Sequence, residues 1–343
     1  MLRPMLTIAA ATAACAIPLS AASAASGPPP PPKAAGGQTV STVASGMNTP
    51  TSFAFGAGRV FAGDGGSNKQ GVPIGGVFSL SNGSATKLAG SPAFVAGLAW
   101  HHGALYVSGG TPSGPASATW TLQKWTAFNG TTFAKRKVIY TAPKGFEGFN
   151  GIAFGPDGRL YVGADVGLLN GNDHGPAKTP FVYDILSLTA GGKDVKVFAS
   201  GIRQPWQIAF PAGSRSPLVS DLGQDKGAKN PPDFILKVHR GDDYGFPQCT
   251  QLVAAACTGF AKPWKVFGPH SDIMGLAIIG RTLYMGSFLG TTGKAGEVFS
   301  MPLSGGTPTP FLTGFVAPVV GLGAHAGTLY AGELTGQVFS VKP

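Results

Sequence analysis

Charge is what this chain lacks most. Only 12% of its 343 residues are Asp, Glu, Lys or Arg, about half the usual ~25%. Acids are the scarcer sign: 15 against 25 basic residues, for a formal net charge of +10. The basic residues are scattered, and the densest run is Lys135-Arg136-Lys137. A nucleic-acid surface needs a basic stripe interleaved with aromatics, so no nucleic-acid partner is expected. Cysteine is nearly absent, with three copies, which excludes a dense disulfide scaffold. No stretch reaches the ~18 unbroken apolar residues of a spanning helix, so the chain is not expected to be transmembrane. G-x-S-x-G, H-E-x-x-H, P-loop and C-x-x-C motifs are missing too. That removes the common signatures of serine hydrolases, zinc proteases, P-loop enzymes and thiol redox enzymes.

Glycine and proline are plentiful instead, at 53 and 29 copies, about twice their roughly 12% combined average. Both break helices, and the glycines have no three-residue period, so neither a helical bundle nor collagen fits. Hydrophobic residues make up 43%, enough for a core. A turn-rich all-β protein is what remains.

The first residues read as an export signal spanning 1–24. Arg3 is the basic start, Met5 to Leu19 the apolar part, and Ala22-Ser23-Ala24 the small-residue cleavage site. Residues 25–37 read as a Pro/Gly/Ala-rich linker, with Pro28 to Pro32 as a polyproline II spacer. Residues 38–343 are the folded domain. The protein is expected to be secreted or periplasmic. Cys15 leaves with the signal, so Cys249 and Cys257 remain, eight positions apart. In an exported chain such a pair predicts a local disulfide.

One pattern recurs six times: a short apolar run, a turn, and a second apolar run ending in a small or acidic residue. The first runs begin at Ser52, Gly97, Gly151, Gln207, Gly275 and Gly321. A third run follows each copy, at Val77, Trp120, Asp184, Phe234, Val298 and Val338. A fourth appears at Thr86, Lys137, Val195 and Thr309. Four alternating strands every 45–55 residues predict a six-bladed β-propeller. The sixth copy lacks a fourth run, and Thr39 to Ala44 resembles one. The N-terminal strand is therefore expected to close the last blade and hide two edges.

In such a fold, second-strand ends and the loops before first strands share a face. Second strands end at Asp64, Asp165, Asp221 and Glu333. Loops on that face carry Glu147, Asn150, Arg203, Gln204, His270 and His174. A carboxylate-lined mouth suits a hard cation such as Ca²⁺, a general base, or turns capped by acids. Asp64, Asp221, Glu333 and Asn150 are the candidate metal ligands.

Three stretches resemble the glucose/sorbosone dehydrogenase family, six-bladed propellers that use pyrroloquinoline quinone (PQQ) and Ca²⁺. ASGIRQPWQIAF, from Ala199, is similar to the family's "GLRNPxGLAF" loop. Asp233 to Cys249 is similar to its "DELNxxxxGxNYGWPxC" segment, and Cys257 to the cysteine that follows. GPDGRLYVGAD, from Gly155, is similar to "GPDGxLYxxxGD", one residue shorter before the Asp. The resemblance implies a PQQ-dependent dehydrogenase acting on an aldose or polyol. It implies cofactor contacts from Arg203, Gln204, Tyr244 and His270. It also implies Glu147 at the place of the family's catalytic histidine, with Asp165 beside it and His174 near. The chain departs from the pattern where Phe234 replaces the acid of "DEL" and Asp243 replaces the Asn of "NYG". FNGIAFGPDG, from Phe149, is similar to the metal-binding segment of gluconolactonases, which implies Asn150 as a ligand and a metal-dependent lactonase as the alternative. A non-catalytic propeller that binds carbohydrate or protein is the third reading.

Overall fold

The computed structural model describes residues 29–343, except 69–70, 115–116, 144–147, 165–180, 225–229, 292 and 294. The described residues are nearly all-β, with a 3-10 turn at Ala254–Cys257. The strands divide into antiparallel four-strand units. Their inner strands are Pro50–Gly56, Phe94–His101, Phe149–Phe154, Pro205–Ala209, Ile273–Ile279 and Val319–His325. We number the units 1 to 6 in that order. Each inner strand lies against the next, and the last against the first, so the arrangement is propeller-like.

Second strands run over Arg59–Asp64, Ala104–Gly114, Leu160–Ala164, Leu218–Asp221, Thr282–Ser287 and Thr328–Glu333. Third strands are Gly76–Ser81, Ser117–Phe128, Asp184–Leu188, Asp233–Lys237, Glu297–Pro302 and Val338–Val341. Fourth strands of units 1 to 5 are Gly83–Lys87, Phe133–Thr141, Lys196–Ala199, Lys265–Phe267 and Thr309–Thr313.

The outermost strand of unit 6 is Ser41–Ser45, antiparallel to Val338–Val341, as the missing fourth run predicts. It also pairs in parallel with Gly83–Lys87, which seams units 6 and 1 into one eight-stranded sheet. Two edges that would otherwise be open to other chains are thereby covered. Within the segment read as a linker, Lys33–Ala34 forms a short strand on the edge of unit 5, opposite Leu312 and Thr313.

Six apolar clusters fill the spaces within and between units. The inner–second pairing shifts register at the same place in every unit, between Pro50 and Ser52 in unit 1 and between Pro205 and Ile208 in unit 4, for example. Such bulges re-aim side chains at strand ends beside functional faces. At Gly97 and Gly151 a side chain would overlap the backbone of the neighbouring inner strand, so only glycine permits that approach. Unit 4 has Gln207 at this position. Its Nε2 donates to Leu322 O of unit 6 at 2.9 Å, and its Oε1 accepts from Leu276 N of unit 5 at 2.8 Å. One side chain thus ties three inner strands together.

Candidate functional site

Among the described residues, six carboxylates are buried: Asp64, Asp184, Asp221, Asp233, Glu297 and Glu333. All sit at second-strand ends or third-strand starts, hence on one face. Among the same described residues the only buried basic side chain is Arg203. Burying that many acids beside one guanidinium is costly unless donors replace water at each oxygen. The units differ in how far they do.

Asp64 of unit 1 is fully satisfied. Asn48 N donates to Oδ2 at 2.7 Å, Thr49 N to Oδ1 at 3.1 Å, and Gly66 N to Oδ1 at 2.7 Å, with Asn48 Nδ2 at 3.3 Å. This is a loop-capping acid. Glu333 accepts from Gln337 Nε2 at 3.1 Å and from the Thr335 hydroxyl through Oε1. Glu297 accepts from the Thr291 hydroxyl and amide. Each of these three serves its own loop.

Unit 4 is different. Gln204 N donates to Asp221 Oδ1 at 2.8 Å. The amide two residues on, Gly223 N, goes instead to Asp233 Oδ1 at 2.6 Å. Asp233 Oδ2 accepts from Asp272 N at 2.8 Å, which fixes the loop carrying His270. His270 adopts a left-handed backbone (φ 60°) and its Nε2 meets Asn230 Nδ2. Burial pushes the Asp221 carboxyl up to about 7, against the Gln204 amide and the Arg203 charge, with Asp233 reinforcing the rise. Burial also raises Asp233, opposed by the Gly223 and Asp272 amides and by His270. Two neighbouring carboxyls that resist ionisation make a group able to take and return a proton near neutral pH.

Arg203 Nη1 donates to Gly223 O at 2.6 Å, Leu222 O at 3.0 Å and Gln204 Oε1 at 3.0 Å. Arg203, Asp221, Gln224 and Tyr244 line a small cavity of about 30 Å³, room for one or two waters. The Gln224 side chain is 2% exposed, and among the described residues neither its Nε2 nor its Oε1 meets a partner. An amide with both functions unspent accommodates a hydroxyl, which donates and accepts at once. The Tyr244 hydroxyl donates to Lys237 O at 3.2 Å. Burial, with the Asp242 carboxylate next to it, holds this phenol well above its ordinary range.

Of the residues singled out from sequence, Arg203, Gln204, Asp221, Tyr244 and His270 are brought together at unit 4. Asp64 and Glu333 are engaged in their own loops, and Asn150 is buried at the start of the unit 3 inner strand. Glu147, Asp165 and His174 lie outside the described residues. In unit 3 the position that Asp64 holds opposite Pro50 is taken by Ala164, opposite Phe149. A Ca²⁺ ligand set of Asp64, Asp221, Glu333 and Asn150 is not formed. Among the described residues no three acids, histidines or cysteines are grouped to hold a metal, and Asp64 has its lone pairs filled by N–H donors. PQQ does not fit the described residues either. Nη1 of its expected arginine is committed to the loop acceptors Gly223 O and Leu222 O.

Sequence reading passed over the acids that open third strands, although Asp184, Asp233 and Glu297 all stand directly at a strand start. That shared position was the available signal. Cys249 and Cys257 are bonded, as their spacing predicts. No helix among the described residues is long and apolar enough to cross a membrane.

No family model and no curated sequence matches the chain. Solved structures do. A glucose dehydrogenase-type oxidoreductase from Thermus thermophilus superposes with a TM-score of 0.71 at 18% identity, over 89% of this chain and 100% of that one. The soluble aldose sugar dehydrogenase of Escherichia coli gives 0.68 at 15%, over 89% and 99%. A gluconolactonase from Xanthomonas campestris gives 0.57 at 12%, over 91% and 94%. The likeness is one of fold, and it agrees with the resemblance read from the three sequence stretches.

Proposed function

We propose that this chain is an exported six-bladed propeller that acts as an oxidoreductase on a small sugar or polyol at the acid-lined face of unit 4. The observation that carries the reading is the buried group of Arg203, Asp221, Asp233 and Gln224. It combines hydrogen-bonding capacity for hydroxyls with a carboxyl poised near neutrality. The fold neighbours, two of them named as sugar dehydrogenases, support the same substrate class. Disulfide bonding of the two cysteines supports export.

In this reading Gln224 receives and orients a substrate hydroxyl through its two unspent atoms. Asp221, when ionised, accepts the hydroxyl proton, and Asp233 shares the charge change through their mutual repulsion. Arg203 offsets the negative charge left on oxygen. Oxidation also needs an electron acceptor. PQQ with Ca²⁺ is what the sequence resemblance implies, and the described residues do not form a seat for either, so no step is assigned to them.

A second reading is a lactonase. The Asp221–Asp233 pair supplies acid–base chemistry without a redox group, and the gluconolactonase neighbour shares the fold.

One assay separates the two. The purified full chain is given a panel of aldoses, polyols and sugar lactones, with and without PQQ, Ca²⁺ and a chelator. The proposal expects dye-linked oxidation of a sugar or polyol that Asp221→Asn reduces at least a hundredfold. Lactone hydrolysis without quinone would transfer the site to the second reading. No turnover of either class, with folded protein, would overturn both.

A further inference from the structure

A second acidic feature lies outside this group. Asp184 opens the third strand of unit 3 and is 8% exposed. Unlike the other buried acids, its carboxylate receives no hydrogen bond from the described residues; the influences on it are burial and the Asp243 carboxylate, which together raise it to about 7. Asp243 comes from the excursion after the third strand of unit 4. That segment runs beside residues 198–201, with Tyr244 N donating to Ser200 O and Phe246 N to Gly201 O, both at 3.0 Å. It brings Asp243 against unit 3, exposed and accepting from Gly245 N at 2.9 Å.

The two acids line a cleft of about 300 Å³ with Tyr183, Ser200, Phe246 and Phe260. Among the described residues no lysine, arginine or histidine lines it, although the chain has a formal net charge of +10. Tyr183 and Phe246 form an edge-to-face pair at 4.8 Å. Tyr183 also holds a left-handed backbone, φ 67°, which bulky residues rarely adopt and which clusters at ligand sites. A buried carboxylate without donors among the described residues, a second acid and aromatic walls together call for a cation with apolar substituents. The volume is at the low end for small organic ligands and far above that of a bare ion. Among the described residues, no third metal-ligating side chain joins the pair.

We propose that the Asp184–Asp243 cleft binds a small organic ammonium ion, its N–H groups bonded to the two carboxylates and its apolar part against Tyr183 and Phe246. This site is separate from the sugar reading and stands or falls without it.

Calorimetric titration of the full chain with benzylammonium chloride tests it, with benzyl alcohol as the neutral isostere. The ammonium should bind at least tenfold tighter than the alcohol. Asp184→Asn and Asp243→Asn should each weaken it at least tenfold, while Asp194→Asn, on an exposed ion pair elsewhere, should not change it. If Asp184→Asn does not fold, the exposed Asp243→Asn gives the answer alone. Equal binding of the alcohol, unchanged affinity in both cleft variants, or tighter binding of Ca²⁺ alone at the same two residues would overturn the proposal. Sugar oxidation by Asp243→Asn should match wild type, so failure here is distinguishable from failure of the proposed activity.

Discussion

Units 1 and 4 place an aspartate at the same register position, Asp64 opposite Pro50 and Asp221 opposite Pro205. Both are reached by the amide of the residue before that proline. The difference arises at the glycine that follows each of them by two positions. Gly66 N donates to Asp64, whereas Gly223 N donates to Asp233. Asp64 is therefore held by backbone donors, a turn cap. Asp221 gives up a donor and gains a neighbouring acid, and burial, with that acid reinforcing it, lifts its carboxyl toward neutrality. The same residue type on the same scaffold becomes structural or chemically active according to where one backbone amide points.

The largest effect should come from the satisfied acid. Asp64→Ala strands the amides of Asn48, Thr49 and buried Gly66 at once and should cost on the order of 3–5 kcal/mol in urea denaturation. Asp221→Ala should cost well under half of that. Equal losses would erase the distinction between the units. Reducing the Cys249–Cys257 bond should cost about 2–3 kcal/mol by the chain-entropy model. Melting curves with and without reductant read this, and an unchanged curve would show that the excursion carrying Asp243 and Tyr244 is held by packing alone. Gln207→Gly makes unit 4 resemble its neighbours and removes two hydrogen bonds between units, for a loss of about 2 kcal/mol. A neutral result in the same denaturation experiment would mean the ring does not need that tie.

The pH dependence should be opposite to ordinary acid unfolding. Asp221 and Asp184 have folded values of about 7 against ~3.9 in an unfolded chain. Between these values the folded state holds the extra protons. Stability contributed by the two groups is thus present at low pH, falls as pH rises from about 4 to 7, and is flat beyond. In Asp221→Asn and Asp184→Asn the fall should shrink. Thermal midpoints across that range check it, and identical profiles for wild type and variants would contradict the assignment. Tyr244→Phe removes only long hydrogen bonds and should change stability by under about 1 kcal/mol.

Much of this fold is legible in the sequence because it is written six times. Alternating runs place strands, and the missing fourth run after Val338 points to Ser41–Ser45. The fourth strand of unit 4, Lys265–Phe267, escapes because a long excursion separates it from Lys237. The site is only half legible. Composition marks acids such as Asp64 and Asp221 as alike, since spacing records position and not hydrogen bonding. Which of them is capped depends on the direction of Gly66 N and Gly223 N. Gln207 reads as an odd residue in a glycine column, and only the ring contacts reveal a bridge. Asp184 is ordinary until the segment around Asp243 folds back upon it.

The proposed chemistry turns on the ionisation of Asp221 in the folded protein. Carbon-13 NMR titration of the aspartate carboxyls, with Asp221→Asn to assign the resonance, measures it directly. A midpoint near 7 is expected. A midpoint near the ordinary ~4 would make Asp221 a turn cap like Asp64 and contradict the proposed site.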